Sequence, residues 1–186
     1  MRRMLVPALM ISLLLTGCGG AAPERKIESM RETLNAAQEI CVTADVTANL
    51  DGEVFPCTLS CTATPDETAV EVLAPETIAG VRALVEPSNM RIEYADVSLG
   101  VGGAAAVPSP VTALPAILQA LREGSTLRSW TEKEDGNNLF VRELYVTDDC
   151  TLTLWLDGET LLPLYAEFRQ GEKTAIRCEI REFTYD

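Results

Sequence analysis

From residue 42 onward, apolar and polar residues alternate with a period of two, and the alternation restarts after nearly every turn signal. Successive side chains of a strand point to opposite faces, so such a chain must build a sheet with one apolar and one polar face. Val42, Ala44, Val46, Ala48 and Leu50 alternate with Thr43, Asp45, Thr47 and Asn49. Asp51-Gly52 then supplies the positive φ angles of a tight hairpin. Phe55, Cys57, Leu59, Cys61 and Ala63 continue in the opposite parity. A two-residue loop at Asp51-Gly52 sets Ala48 opposite Phe55, Val46 opposite Cys57 and Val42 opposite Cys61. Turn chemistry and alternation therefore agree on one register.

Further strands are expected over 68–73, 81–85 and 89–94, with the run continuing over 95–101 before Gly102-Gly103 breaks it. After a helical interruption, strands are expected over 127–132, 139–146, 150–156, 162–168 and 176–180, separated by Glu134-Asp135-Gly136-Asn137, Asp157-Gly158 and Gln170-Gly171-Glu172. Two segments carry the helical period instead. Ile27, Met30, Leu34 and Ala37 mark an amphipathic helix over about 24–39. Ser109-Pro110 reads as N-cap and first helical residue of a second, with Leu114, Ile117, Leu118 and Leu121 as its apolar face. Gly124 reads as its C′ stop, and Pro115 as a source of kinking near the first turn. The sum is an α+β chain: a long antiparallel meander of roughly ten strands, entered by one helix and interrupted by another. Strands twist, so a sheet of that length curls into an open half-barrel around its helices or closes toward a barrel.

The N-terminus bounds where such a domain works. Arg2 and Arg3 precede an apolar stretch from Leu5 to Leu15, and Leu15-Thr16-Gly17-Cys18 has an aliphatic residue, two small residues and cysteine, the pattern of a bacterial lipobox. About 11 residues at ~1.5 Å each do not span a ~30 Å hydrocarbon core, so the stretch fits a cleaved signal peptide. Residues 1–17 are expected to be the signal peptide, 18–23 a lipidated tether and 24–186 a single domain, delivered to the bacterial cell envelope and anchored to the membrane through Cys18. Residues 1–17 carry Arg2 and Arg3 and no acidic residue, so their removal moves the net charge from −13 to −15. That charge repels nucleic acid, which is excluded as a partner. The chain has no histidine, which removes the commonest general base and metal ligand and every Ser-His or Cys-His nucleophile. A non-enzyme without cofactor or metal is expected.

The order of elements, with Ala74-Pro75-Glu76-Thr77-Ile78-Ala79-Gly80-Val81, Ser109-Pro110 opening a helix and Leu162-Pro163-Leu164-Tyr165-Ala166-Glu167-Phe168 in the last meander, resembles the LolA/LolB/LppX-like lipoproteins, clostridial-type envelope members among them. The resemblance covers nearly the whole mature chain. It implies a half-barrel of antiparallel strands with helices on the concave side, and a cavity that takes acyl chains in members that carry lipids. The chain departs from soluble carriers in being anchored itself and in lacking a basic face.

An apolar sheet face too large to be filled by two helices points to a lipid or acyl-type ligand, lined by Phe55, Leu59, Val70, Val72, Ile92, Leu154 and Phe168. Trp130, Trp155, Tyr94 and Tyr145 are further aromatic candidates. The alternative is an interaction protein whose cavity is plugged by the helices and whose polar face or sheet edge docks an envelope protein or a second copy. A hydrolase using Glu132, Glu134 and Asp135, or Asp148 and Asp149, is a third; those carboxylates also read as solvated hairpin tips. Gly100-Val101-Gly102-Gly103 lacks the lysine of a phosphate loop and reads as a connection. Five cysteines remain beside Cys18, Cys41 on the polar face and Cys57, Cys61, Cys150 and Cys178 on apolar faces. Inert buried thiols, one disulfide and a metal site are the three readings. Cys57 and Cys61 lie four residues apart on one strand and cannot bond each other.

Overall fold

The computed structural model describes residues 21–50, 52–86, 89–94, 97–100 and 109–186. Helix α1 (Ala21–Ala36) leads into β1 (Ile40–Leu50), β2 (Glu53–Ala63), β3 (Thr68–Ala74), β4 (Arg82–Glu86), β5 (Asn89–Tyr94) and β6 (Val97–Gly100). Helix α2 (Pro110–Glu123) crosses to β7 (Thr126–Glu134), followed by β8 (Asn137–Thr147), β9 (Cys150–Asp157), β10 (Pro163–Gln170) and β11 (Lys173–Tyr185). All eleven strands form one sheet in the order β6-β5-β4-β3-β2-β1-β11-β10-β9-β8-β7, and every neighbouring pair is antiparallel. The first six strands step outward from β1, and the last five step inward from the far edge until β11 meets β1. Within the described sheet β6 and β7 are edges, so the sheet is open.

The hairpin register read from the sequence holds along its whole length: Ala48 faces Phe55, Val46 faces Cys57 and Val42 faces Cys61. The β7–β8 turn shows the chemistry in full, with Asp135 at φ 49° and Gly136 at φ 87°, both in the left-handed region that a two-residue hairpin needs. Of the run expected over 95–101, the described Val97–Gly100 form a separate short strand, β6, so the sheet has eleven strands among the described residues where roughly ten are expected. Helix α1 begins and ends about one turn earlier than its apolar period predicts. Ile40 already pairs with Ala63 and Tyr185, which pulls the preceding residues out of the helix.

Both helices lie against the same face. Ile27 and Leu34 of α1 and Ala113, Leu114, Ile117, Leu118 and Leu121 of α2 join Val42, Ala44, Leu59, Val70, Leu154, Phe168 and Ile176 in one buried cluster. The helices also hold each other, because Arg122 Nε donates to Leu34 O at 3.2 Å and Arg31 donates to Gly124 O. At the start of α2, Ser109 has extended backbone (φ −96°, ψ 166°) and its N–H donates to Thr112 Oγ1 at 2.7 Å, while Pro110 takes the first helical position.

Gly124 ends α2 for a different reason from the one its sequence position implies. Its φ is −58°, not left-handed. What requires glycine is space: a Cβ there would sit 2.6 Å from Leu144 Cδ2 and closer still to the Ala120 carbonyl. Gly124→Ala is therefore expected to cost about 1–3 kcal/mol through overpacking, read as a lower urea midpoint with unchanged m-value.

Candidate functional site

The helix-covered face gathers most of the residues expected to bind an apolar ligand. Leu59 stands between Ala44 and Val72, and Cys61 between Val42 and Val70, so Leu59, Val70 and Val72 form adjacent rows on β2 and β3. Helix α2 packs across β1, β2, β3, β4 and β11 above them. On the other wing, Leu154 faces Ala166, and Phe168 lies between Leu152 and Ile176. All five of these candidates are buried, and Ile92, opposite Ala83, is half-buried against the same cluster. Phe55 stands apart: it faces Ala48 near the hairpin tip and is 45% exposed.

The sequence reading missed where this face is left uncovered. Leu99 pairs with Ile92 and Val97 with Tyr94, which puts all four on the side of buried Ala83. Nevertheless Tyr94 is 51%, Val97 59% and Leu99 62% exposed. Among the described residues the apolar face therefore outlasts its helical cover at the β5–β6 margin. The only sequence signal was the alternation itself, which assigns a residue to a face and says nothing about what covers it.

The remaining candidates separate. Trp130 and Trp155 lie on the opposite face, which carries no helix among the described residues (the helix-free face), since both pair with Val141, whose parity is opposite to that of Phe140 and Leu156. Of the aromatic candidates only Phe168 is fully enclosed in the core. Glu132 accepts hydrogen bonds from both indoles, Trp130 Nε1 at 2.6 Å and Trp155 Nε1 at 3.2 Å. Asp148 accepts from Tyr145 Oη at 3.0 Å, and Glu134 and Asp135 are exposed at the β7–β8 turn. Among the described residues no group of three or more Cys, Asp and Glu side chains is placed to hold a metal ion. Of the Gly100–Gly103 connection, Gly100 ends β6 and the rest lies outside the described residues.

Cys41, Cys57, Cys61, Cys150 and Cys178 are all free thiols. Cys61 and Cys178 are buried on either side of β1, and burial pushes each up to about 12. Burial also raises Cys57 and Cys150. Cys41, on the helix-free face, is raised first by burial and further by the neighbouring Glu39, whose carboxylate lies 3.5 Å from its sulfur. The thiolate is the reactive form, so iodoacetamide at pH 8 is expected to leave Cys61 and Cys178 unmodified in the native protein and to label them on unfolding, as read by peptide mass spectrometry.

No protein-family model and no curated protein matches this chain by sequence. Solved structures do match in shape. A DUF1329 family protein from Desulfovibrio piger superposes with a TM-score of 0.54 at 14% identity, over 88% of this chain and 92% of that one. An uncharacterized conserved protein from Thermus thermophilus gives 0.53 at 11% identity, covering 88% of each chain. A Vibrio parahaemolyticus domain named for outer membrane lipoprotein sorting gives 0.50 at 11% identity, over 87% of this chain and 91% of that one. At such identities the likeness is one of fold alone.

Proposed function

We propose that this chain is a non-catalytic envelope lipoprotein, held at the membrane through a lipid on Cys18, whose open half-barrel takes an acyl chain or similar apolar ligand on its helix-covered face. The observation that carries the reading is the uncovered β5–β6 margin. An apolar strip of Tyr94, Val97 and Leu99, exposed at the rim of a face whose centre is covered by two helices, is unfavourable in water unless something apolar lies on it. Each methylene removed from water there contributes ~0.8 kcal/mol. A chain entering at Leu99 meets Ile92 next, then Val70, Val72 and Leu59 beneath α2, with Leu154 and Phe168 deeper under the helices. Admission past Ile92 requires α2 to shift along the sheet. The shared fold with the lipoprotein-sorting domain supports the same assignment.

Cys18 and the rest of residues 1–20 lie outside the described residues, and anchoring rests on the lipobox. A diacylglyceryl group supplies the two acyl chains that stable anchoring needs, without electrostatic help from a body of this charge. Cys18→Ala is expected to leave the protein unlabelled by radioactive palmitate and in the soluble fraction; membrane retention by the variant contradicts the anchor.

The ligand is tested on the chain from residue 21 onward, purified without detergent and examined by native mass spectrometry. A retained mass of a fatty acid or phospholipid is expected. Leu99→Asp combined with Ile92→Asp should remove that mass while leaving the circular dichroism spectrum intact, because Leu99 is exposed and Ile92 only half-buried. A clean apo mass for the unmodified domain overturns the reading.

A further inference from the structure

The helix-free face holds a feature that lipid binding does not use. Along β7 to β11 one cross-strand row runs Trp130, Val141, Trp155, Tyr165, Glu179. Val141 is fully buried although it points away from the helices, because Trp130 and Trp155 flank it and both indoles are tied to Glu132. Two carboxylate oxygens on two indole N–H groups fix the rings without closing over them. Trp155 stays half-buried and Tyr165 partly exposed, and together with Glu132, Glu134, Glu167 and Glu179 they line a groove of about 490 Å³.

The charges of this groove are unevenly spent. Arg177 is paired with Glu167 at 2.6 Å, Arg128 with Glu143, and Arg181 with Asp45. Among the described residues Glu134 and Glu179 have no ion-pair partner, against one lining ammonium, Lys133. The groove therefore has carboxylates left over beside aromatic faces. Guanidinium and ammonium groups satisfy both at once, through ion pairing and through attraction to the ring face. The same face already shows that contact, with the Arg128 guanidinium 5.2 Å from the centre of the Trp130 ring.

We infer that this groove is a docking site for a basic, extended peptide segment of a partner protein, with arginine or lysine side chains seated over Trp155 and Tyr165 and paired with Glu134 and Glu179. The row from Trp130 to Tyr165 crosses four strands, roughly 14 Å at the usual spacing, which an extended segment of about four or five residues spans. A neutral saccharide also stacks on aromatic rings, but it leaves the surplus carboxylates unneutralised. This site lies on the opposite face from the proposed lipid site and stands or falls independently of it.

The chain has two tryptophans: Trp155 lines the groove and Trp130 shares its hydrogen-bond acceptor, Glu132, so tryptophan emission reports on the groove and the ring beside it. The test titrates the full-length protein in mild non-ionic detergent with a blocked Arg-Gly-Arg-Gly-Arg peptide. A saturable change in tryptophan emission is expected, weakened about tenfold by Glu134→Gln with Glu179→Gln. Glu53→Gln with Glu71→Gln removes the same charge elsewhere and is expected to shift affinity less than twofold. Tyr165→Ala, which changes no charge, should also weaken binding. Equal losses in the two charge-matched pairs would reduce the effect to the general acidity of the protein and overturn the site. So would a silent peptide, or maltopentaose producing the emission change in its place.

Discussion

The pairing of β1 with β11 is the constraint on which the rest of the structure depends. It joins Ile40 to Tyr185 and Ala48 to Ile176, bringing the first strand of the chain beside the last. Without it the molecule is two meanders, each with an apolar face too wide for one helix. With it, the two faces become one, and α2, the link between the halves, lies across the seam on β1 and β11. The junction is reinforced at its end, where Glu39 and Asp186 exchange hydrogen bonds, Glu39 N–H to Asp186 Oδ1 at 2.8 Å and Asp186 N–H to Glu39 O at 3.3 Å. Such a contact closes nearly the entire chain into a loop, so it forms against a large entropic cost, offset by the core it completes.

Each element's legibility in the sequence follows from how locally it is specified. The β1–β2 register was readable because a two-residue turn and the parity of the flanking residues must agree, and Ala48, Val46 and Val42 all found their partners. The β1–β11 seam was not, because no local signal distinguishes a strand that will pair across the whole chain from one that will lie at an edge. In β8 the alternation itself breaks down: Leu139, Phe140, Val141 and Arg142 are buried in succession. A strand covered on both faces loses the two-residue period. Its outer cover is the pair of tryptophans, whose shared hydrogen-bond acceptor, Glu132, read as one of several turn carboxylates. Gly124 shows the same limit in miniature. A glycine after a helix suggests a left-handed residue, whereas here it is the approach of Leu144, 20 positions away, that excludes a side chain.

Of the expected ligand-lining set, Leu59, Val70, Val72, Leu154 and Phe168 share a face because parity alone dictates it. Parity does not distinguish a side chain that packs against a helix from one that waits for a ligand. That distinction depends on how far α2 reaches, and α2 is short: its 14 residues extend ~21 Å, while eleven strands at ~4.8 Å make a sheet more than twice as wide even before it curls. Part of the apolar face therefore lies beyond the two described helices, and the exposed Tyr94, Val97 and Leu99 of β5 and β6, outermost on their side of the seam, belong to that part.

Coverage by short helices also sets how the two faces differ mechanically. On the helix side, burial over Val70 and Phe168 is held by dispersion and water exclusion, and the directional bonds sit at the α1–α2 contact, where Arg122 and Arg31 donate to backbone carbonyls. On the helix-free side, the rings of Trp130 and Trp155 are fixed by hydrogen bonds to Glu132 and the flanking arginines are locked in ion pairs. A surface of aliphatic side chains matches the proposed acyl chain, which has length and no pattern. A fixed array of rings and charges suits a segment with a pattern to match. One open sheet, wide enough to leave its own rim uncovered, provides both.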